Sequence, residues 1–281
     1  MLTAPSHIDV ERIGAVGRIT IRRPERFNSL DVQTAQDFRR AGLQLARDDR
    51  LRVVVLRGLP GMFCSGADLK FIRDGGDADD LAYLWPVVPD AAPRGFGGTF
   101  KQILEYIHST ISEIRRAPKP FVAAVDGVAA AGGFGIAMSC DLVFASPRAS
   151  FEWAYGRTGL TGAESSTFLL PRLIGLRRAM ELVLLNPRLT AARALDFGLV
   201  TAVFGAEQFD DEVMAAAERI AAGPPHALAT AKELLNQSMG MDLLDAHLDR
   251  ELQELSRAAD GEEFADGIAA FFEKRTARFG G

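Results

Sequence analysis

The stretch from Val125 to Asp141, VDGVAAAGGFGIAMSCD, consists almost wholly of small or apolar residues. Its order predicts a strand, a turn of small residues and then a helix. Glycine and alanine at such a junction let a ligand approach the backbone, and a helix N-terminus offers unpaired N–H groups that stabilise negative charge. The alternative is that the glycines only allow a helix and a strand to pack closely. Taken alone, the stretch favours neither interpretation.

A second segment, GMFCSGADL at residues 61–69, follows the buried strand pattern LRVVVLRG and has the same design. Two such turns facing one another could hold one oxygen atom between two N–H donors, which is an oxyanion hole. One donor of this kind is worth about 3 kcal/mol of transition-state stabilisation. A dinucleotide fingerprint is disfavoured because Met138 occupies the place of the third small residue. Triad hydrolysis has little support either, since the sequence contains no G-x-S-x-G elbow.

Strand and helix patterns alternate through most of the chain. Residues 8–22 predict a two-stranded hairpin, and Asp31 can cap the helix that follows it. The same order returns where a helical stretch ending in IRRAPKP leads into the strand FVAAVDG, and again at CDLVFAS. This rhythm predicts an α/β domain. After Phe204 the pattern is almost wholly helical, with two apolar stripes formed by Leu244, Leu248, Leu252 and Leu255 and by Phe264, Ile268, Phe271 and Phe272.

Residues 73–98 interrupt the rhythm. They are rich in Gly, Pro and Asp, which predicts a long surface loop or lid. Its aromatic residues Tyr83, Trp85 and Phe96 either cover a ligand or only fix the loop to the core.

The net charge of −5 and the pI of about 5.5 argue against nucleic-acid binding, which requires a basic face. We expect no membrane association, because no apolar run is long enough to span a bilayer. The two cysteines, Cys64 and Cys140, lie in apolar settings and indicate small buried side chains rather than a disulfide. This cysteine usage favours a cytoplasmic location.

Several segments together carry a family likeness. In order and spacing they resemble the enoyl-CoA hydratase/isomerase family, also called the crotonase family, from about residue 8 to residue 205. A weaker likeness lies in FFEKRTARF near the end of the chain. The segments are ITIRRPERFNSL, VVVLRGLPGMFCSGADLK, KPFVAAVDGVAAAGGFGIAMSCDLVFAS, GLTGAESSTFLLPRLIGLRRAMELVLL and LTAARALDFGLVTAVF.

The resemblance implies an α/β fold, a crotonase-like spiral of ββα units over residues 1–205. It also implies a helical C-terminal oligomerisation region over residues 206–281, with the chain in a homotrimer or a dimer of trimers. The expected ligand is an acyl-CoA thioester, with no metal and no separate cofactor, because coenzyme A enters as part of the substrate. By position in the two glycine turns, the oxyanion-hole donors are the amides of Ala67 and Gly132.

The same resemblance suggests contacts with coenzyme A. Arg26 matches a position that lines the CoA channel, with Ser29 beside it, and Lys274 is a candidate phosphate contact that could reach a neighbouring subunit's site. The alternative for Arg26 and Lys274 is solvated surface charge. The residues that flank the first donor are Ser65, Asp68 and Leu69.

The sequence departs from the family where hydratases hold two glutamates. Gly135 and Tyr155 occupy those positions. Another acid position used in the family holds Ala163, and Glu164 follows it. Glu164 is either a catalytic base or the cap of the next helix, and Tyr155 either orients the acyl group or is a core aromatic. Glu152 is expected on the surface of a strand.

Two functions follow from this pattern. The first is an acyl-CoA enzyme of isomerase or hydratase type, with Glu164 as the base. The second is a non-catalytic acyl-CoA binder that kept the two amides and lost the acids. Thioester hydrolysis or dehalogenation would need a nucleophilic acid that the sequence does not place.

Overall fold

A computed structural model describes residues 7–76 and 95–280 of the protein. Most of the predicted lid, with Tyr83 and Trp85, lies outside the described residues. The prediction was wrong at the end of that segment, because Phe96 begins a long helix. The Phe96 ring packs edge-on against Phe264 with 5.3 Å between the ring centroids, so it belongs to a packed interior contact.

Two β-sheets contain the strands of the described residues. The strands are β1 (Ile8–Ile13), β2 (Val16–Ile21), β3 (Val53–Arg57), β4 (Met62–Cys64), β5 (Phe121–Val125), β6 (Val128–Ala130), β7 (Leu142–Ala145), β8 (Ser150–Glu152), β9 (Leu189–Thr190) and β10 (Ala202–Val203). The larger sheet has the order β1-β2-β3-β5-β7-β10 and the smaller one the order β4-β6-β8-β9.

The helices up to residue 197 lie between these strands along the chain, and the remaining helices follow the last strand. They are α1 (Val32–Ala46), α2 (Leu69–Arg73), α3 (Phe96–Arg116), α4 (Gly132–Ser139), α5 (Ser166–Ile174), α6 (Leu176–Leu185), α7 (Ala191–Phe197), α8 (Phe209–Ala221), α9 (Pro225–Ser238), α10 (Leu244–Ala259) and α11 (Glu262–Glu273). Short 3₁₀ turns lie at Pro24–Arg26, Tyr155–Thr158 and Met241–Leu243.

Periodic patterns predicted the first half of the fold correctly. The hairpin is the antiparallel pair β1 and β2, turned by Gly14 at φ +60°. Asp31 caps α1 by accepting a hydrogen bond from the Thr34 amide at 2.8 Å. Strands β3 and β5 pair in parallel in the middle of the larger sheet and are almost wholly buried, which explains their unbroken apolar runs.

The architecture repeats a unit of two strands and a helix. Strands β3, β5 and β7 lie in the larger sheet, and the strand after each of them, β4, β6 or β8, lies in the smaller sheet. Helices α2, α4 and α5 follow these pairs. The chain therefore forms a spiral of ββα units, as expected, and the carboxyl ends of β4, β6 and β8 come together.

The described elements beyond Phe204 are all helices. Helix α10 packs against α3, and its stripe is buried at Leu244, Leu248 and Leu255 and partly buried at Leu252. In the second stripe Phe264 and Ile268 are buried, whereas Phe271 is 57% exposed. The division of the chain near residue 205 stays a prediction.

Both cysteines are buried and free, as the sequence indicated. None of the described helices is both long and apolar enough to cross a bilayer. Over the same residues, no group of three or more His, Cys, Asp or Glu side chains could hold a metal ion.

Candidate active site

The two glycine-rich turns lie against one another. A Cβ at Gly66, where φ is +91°, would lie 2.8 Å from the Ala131 Cβ and 2.9 Å from the Ala130 oxygen. A Cβ at Gly133 would lie 2.1 Å from the Cys64 oxygen. Neither position leaves room for a side chain because the two backbones are in contact. Close packing therefore explains these two glycines.

The amides of Ala67 and Gly132 are different. Ala67 lies beside Leu30, whose amide donates to the Gly66 oxygen and whose oxygen accepts the Asp68 amide, each at 2.8 Å. These bonds use the residues on either side of Ala67 and leave the Ala67 N–H free. Gly132 is the first residue of α4, so its N–H also has no helical acceptor. Within residues 7–76 and 95–280, neither N–H has a hydrogen-bond acceptor.

Both residues line one cavity of about 200 Å³. Its walls contain both apolar and polar side chains. The apolar side chains are Leu69, Phe100, Leu160, Leu255 and Phe271, and the polar ones are Ser65, Glu152, Tyr155, Arg157, Thr158 and Glu164. The cavity thus brings together both predicted donors, the predicted acid Glu164 and three further predicted residues, Ser65, Leu69 and Tyr155.

Glu164 projects its carboxyl group into this cavity although only 3% of the residue is exposed. A Cβ at Gly132 would lie 2.8 Å from Glu164 Oε1, so the carboxyl group lies directly against the Gly132 Cα. The Tyr155 hydroxyl donates a hydrogen bond to Glu164 Oε2. Tyr155 is both a buried core aromatic and a cavity residue, so its two interpretations are compatible.

The alternative that Glu164 caps the next helix is wrong. The amides of Ser165 and Thr167 at the start of α5 donate instead to Glu251 of α10, at 2.8 and 2.9 Å. Glu164 has φ +51°, a left-handed conformation that is costly for a residue with a side chain. The carboxyl group of Glu164 lies against Gly132 and Tyr155 and makes no cap of α5.

Burial changes the ionisation of this group. Removal from water raises the pKa of Glu164 to about 8, and the negative charge of Glu251 adds to that effect, whereas the hydrogen bond from Tyr155 opposes it. Burial also raises the pKa of Tyr155 well above its usual value. His108 accepts the Glu164 amide hydrogen at Nε2, 3.1 Å away, and burial lowers the pKa of that histidine to about 3. Of these three buried groups, Glu164 is the one whose pKa lies close to neutral pH.

The position of Glu164 also explains the glycine at residue 135. A Cβ at Gly135 would lie 2.5 Å from the main-chain oxygen of Glu164 and 2.6 Å from the Glu164 Cβ. The backbone and side chain of Glu164 thus fill the space that a side chain at residue 135 would need.

The expectation that Glu152 lies on a strand surface was wrong. Glu152 is 4% exposed and lines the cavity, with Oε1 at 2.5 Å from Arg157 Nε and Oε2 at 3.1 Å from Arg188 Nε. Its main-chain oxygen accepts the Ala131 amide at 3.1 Å. Strand β8 has only three residues, so its sequence carries too little alternation to show which face is buried.

The predicted CoA contacts divide into two groups. Ser65 and Leu69 line the cavity, whereas Asp68 is buried beside it and its carboxylate binds Arg23 at 2.9 Å and Arg26 at 2.5 Å. Burial opposes ionisation of Asp68, but the hydrogen bonds from Arg26, the Phe71 amide and Arg23 outweigh it and lower its pKa to about 2. Asp68 therefore caps α2 and fixes two arginines.

Arg26 lines a second pocket of about 350 Å³ formed by Arg23, Arg26, Asp68, Lys70, Phe71, Asp74 and Gly76. Its ion pair with a buried carboxylate means that Arg26 is not simply solvated charge. Ser29 is buried and accepts hydrogen bonds from Arg23 through both its main-chain oxygen and its hydroxyl. Lys274 is exposed at the end of α11, three residues beyond Phe271, and does not line the cavity.

Two free amides can donate hydrogen bonds to a carbonyl oxygen and stabilise the negative charge that it gains during a reaction. The carboxyl group beside them can accept or donate a proton. The sequence model of the enoyl-CoA hydratase/isomerase family matches residues 11–89 and 99–281, and the chain belongs to that family.

The chain resembles curated proteins over nearly its whole length. It is 30% identical over 268 residues to 4-chlorobenzoyl coenzyme A dehalogenase-2 of Arthrobacter sp., covering 95% of this chain and 91% of that protein. It is 31% identical over 265 residues to 1,2-epoxyphenylacetyl-CoA isomerase of Escherichia coli K12, covering 94% of each.

The fold is also known from solved structures. The crystal structure of an enoyl-CoA hydratase from Mycobacterium avium subsp. paratuberculosis K-10 matches with a TM-score of 0.83 at 32% identity, covering 98% of this chain and 99% of that one. The relatives thus share one fold and carry names of different reactions, so the reaction has to be argued from the site.

Proposed function

We propose that the protein is an acyl-CoA enzyme of enoyl-CoA isomerase or hydratase type that stabilises a thioester enolate with the amides of Ala67 and Gly132. The observation that carries this proposal is the buried carboxyl group of Glu164, which lies against Gly132 in the cavity that both amides line. Membership of the enoyl-CoA hydratase/isomerase family supports an acyl-CoA thioester as the substrate.

The reaction follows from this arrangement. The thioester oxygen accepts hydrogen bonds from both amides, and these bonds strengthen as the oxygen becomes an enolate. Ionised Glu164 removes a proton from the carbon next to the carbonyl. Returning that proton to the γ-carbon of a 3-enoyl thioester moves the double bond to the 2-position, and Glu164 is ionised again at the end. A pKa near 8 lets one carboxyl group both take and return the proton.

Isomerisation is favoured over hydration by the space around Glu164. Hydration of an enoyl thioester in this family uses two carboxylates that hold one water, and the matching positions here are Gly135 and Tyr155. No side chain fits at residue 135, and the Tyr155 hydroxyl is bonded to Glu164. One carboxyl group that is hydrogen-bonded by a phenol suits proton transfer between two carbons.

The test is hydrogen exchange followed by product analysis. Purified protein is incubated in deuterium oxide with saturated, 2-enoyl- and 3-enoyl-CoA thioesters, and deuterium incorporation and water addition are followed by mass spectrometry. Formation of the conjugated product is followed by ultraviolet absorbance. We expect exchange and isomerisation in the wild type, at least about 100-fold slower in Glu164→Gln, since a positioned acid or base contributes this much. The exposed Glu218→Gln variant serves as the matched control and should match the wild type.

The same experiment examines the alternative function. Calorimetric titration of each thioester shows whether the protein binds it. Binding without exchange or turnover would favour the non-catalytic acyl-CoA binder, and addition of water that survives Glu164→Gln would contradict the role of this residue.

We extend the proposal to the parts of the molecule outside the cavity. Arg26, with Ser29 and Asp68 behind it, is proposed to bind the phosphates of coenzyme A, and Lys274 to reach them in a neighbouring subunit. Exposed apolar side chains on α6 and α9, such as Leu185 at 75% and Leu235 at 68% exposure, favour an interface with another subunit. On the family resemblance we propose a homotrimer or a dimer of trimers. Sedimentation should give the mass of three or six chains.

The two buried free thiols favour a cytoplasmic location.

A further inference from the structure

We propose that Glu251 of the C-terminal helix α10 is the positioning residue of this site: its buried carboxylate fixes the left-handed turn at Glu164 and Ser165 and places a negative charge behind the Glu164 carboxyl group. This inference rests on the proposed role of Glu164. Glu251 does not line the cavity, so it acts through Glu164 and not on the substrate.

The turn needs an external support. Glu164 and Ser165 have φ values of +51° and +60°, a left-handed conformation that is unfavourable for residues with a side chain. Three donors in or next to this turn bind the Glu251 carboxylate: the Ser165 amide at 2.8 Å, the Thr167 amide at 2.9 Å and the Thr167 hydroxyl at 2.5 Å. One side chain thus fixes the backbone on the C-terminal side of Glu164.

These contacts also place Glu251 at the N-terminus of α5, where unpaired amides stabilise an anion. The Glu164 amide is held separately, by His108 of α3. Helices α3 and α10 therefore hold the amides of residues 164, 165 and 167. A displacement of α10 would move the carboxyl group of Glu164 relative to the free amide of Gly132.

The charges around the two carboxyl groups can be named. The Glu164 carboxyl group accepts a hydrogen bond from Tyr155 and interacts electrostatically with Cys64 and Glu251, and the main-chain amide of Glu164 is bound by His108. Among the described residues, the side chain within 4.0 Å of Glu251 that could carry a positive charge is His247, whose Nε2 lies 3.7 Å from Glu251 Oε1.

His247 provides little compensation for that charge. Burial and the nearby Arg172 lower the pKa of His247, so this histidine is neutral at neutral pH. Its Nε2 lies 2.8 Å from the Thr167 hydroxyl, which already donates to Glu251, so Nε2 donates to that oxygen. Burial raises the pKa of Glu251, whereas the hydrogen bonds from Thr167, Ser165 and Phe168 oppose that rise and favour its ionised form. Ionised Glu251 repels the ionised form of Glu164 and so contributes to the raised pKa of Glu164.

The test compares Glu251→Gln with Glu251→Asp. Gln removes the charge and keeps the length of the side chain, whereas Asp keeps the charge and withdraws it from the turn. In Glu251→Gln we expect the pKa of Glu164 to fall by about one unit, because a nearby like charge is lost. In Glu251→Asp we expect that pKa to stay within about half a unit of the wild type while kcat falls about tenfold and KM changes less than about threefold. Glu254→Gln, on the solvent side of the same helix, should change neither quantity.

The pKa is read without turnover, by ¹³C nuclear magnetic resonance of glutamate side-chain carboxyl carbons, with Glu164→Gln assigning the signal. If no acyl-CoA is converted by the wild type, the proposed function fails, but the titration still decides whether Glu251 acts on Glu164. An unchanged Glu164 titration in Glu251→Gln would overturn the inference. Should that variant not fold, an unchanged kcat in Glu251→Asp would overturn it.

Discussion

We predict that the substitution Glu164→Gln changes how the free energy of unfolding depends on pH, and no substrate is needed to measure this change. A glutamate in the unfolded chain has a pKa of about 4.3, whereas burial raises the pKa of Glu164 to about 8. Between these two values the folded protein keeps the proton and the unfolded chain releases it. The free energy of unfolding must therefore fall as the pH rises through this window, and it levels off above about pH 8.

The slope follows from proton linkage. One proton gives about 1.4 kcal/mol per pH unit, so between about pH 5.5 and about pH 7.5 the wild type should lose about 3 kcal/mol relative to Glu164→Gln, whose amide does not titrate. Urea unfolding of both proteins at several pH values, at one fixed protein concentration, measures this difference. Glu218→Gln, which replaces an exposed glutamate, should run parallel to the wild type. A difference between wild type and Glu164→Gln that stays constant across the window would refute the raised pKa of Glu164.

Three other substitutions probe the surroundings of this group. In Gly132→Ala the new Cβ would lie 2.8 Å from Glu164 Oε1, and displacement of the carboxyl group should lower kcat/KM about 100-fold in a protein that still binds the thioester in a calorimeter. In Tyr155→Phe the lost hydrogen bond should raise the pKa of Glu164, so the rising limb of the kcat profile should move to higher pH; a shift to lower pH would contradict the contact. Asp68→Asn should cost about 3 kcal/mol of unfolding free energy at neutral pH, because two arginines lose a buried partner. Since the pKa of Asp68 is lowered to about 2, this contribution is present above about pH 4, the pKa of an unfolded aspartate, and acid should remove the difference between variant and wild type.

Local patterns account for what the sequence predicted about the fold. The hairpin, the Asp31 cap and the strand, turn and helix order at residues 128–139 each depend on a few neighbouring residues, and the structure contains all of them. The start of α3 at Phe96 was missed because Gly97 and Gly98 resemble a loop. In the fold, Gly97 allows contact with α10, because a Cβ there would lie 2.2 Å from the Ser256 oxygen.

The site itself was only partly predictable. The positions of Ala67 and Gly132 follow from two motifs, but whether Glu164 caps α5 depends on Glu251. Glu251 binds the amide of Ser165 from 86 residues further along the chain. The burial of Glu152 likewise depends on Arg188, 36 residues away. Contacts over such separations leave no periodic signal in the sequence, so these parts of the site needed the three-dimensional structure.

In the proposed mechanism two main-chain amides receive the charge of a thioester oxygen, and a crystal structure of Glu164→Gln with an unreacted acyl-CoA would show whether they do. We predict the carbonyl oxygen at about 2.7–3.1 Å from both Ala67 N and Gly132 N, with the substituted side chain at position 164 beside the carbon next to the carbonyl. A thioester bound in the cavity with its oxygen beyond hydrogen-bond reach of either amide would contradict that mechanism.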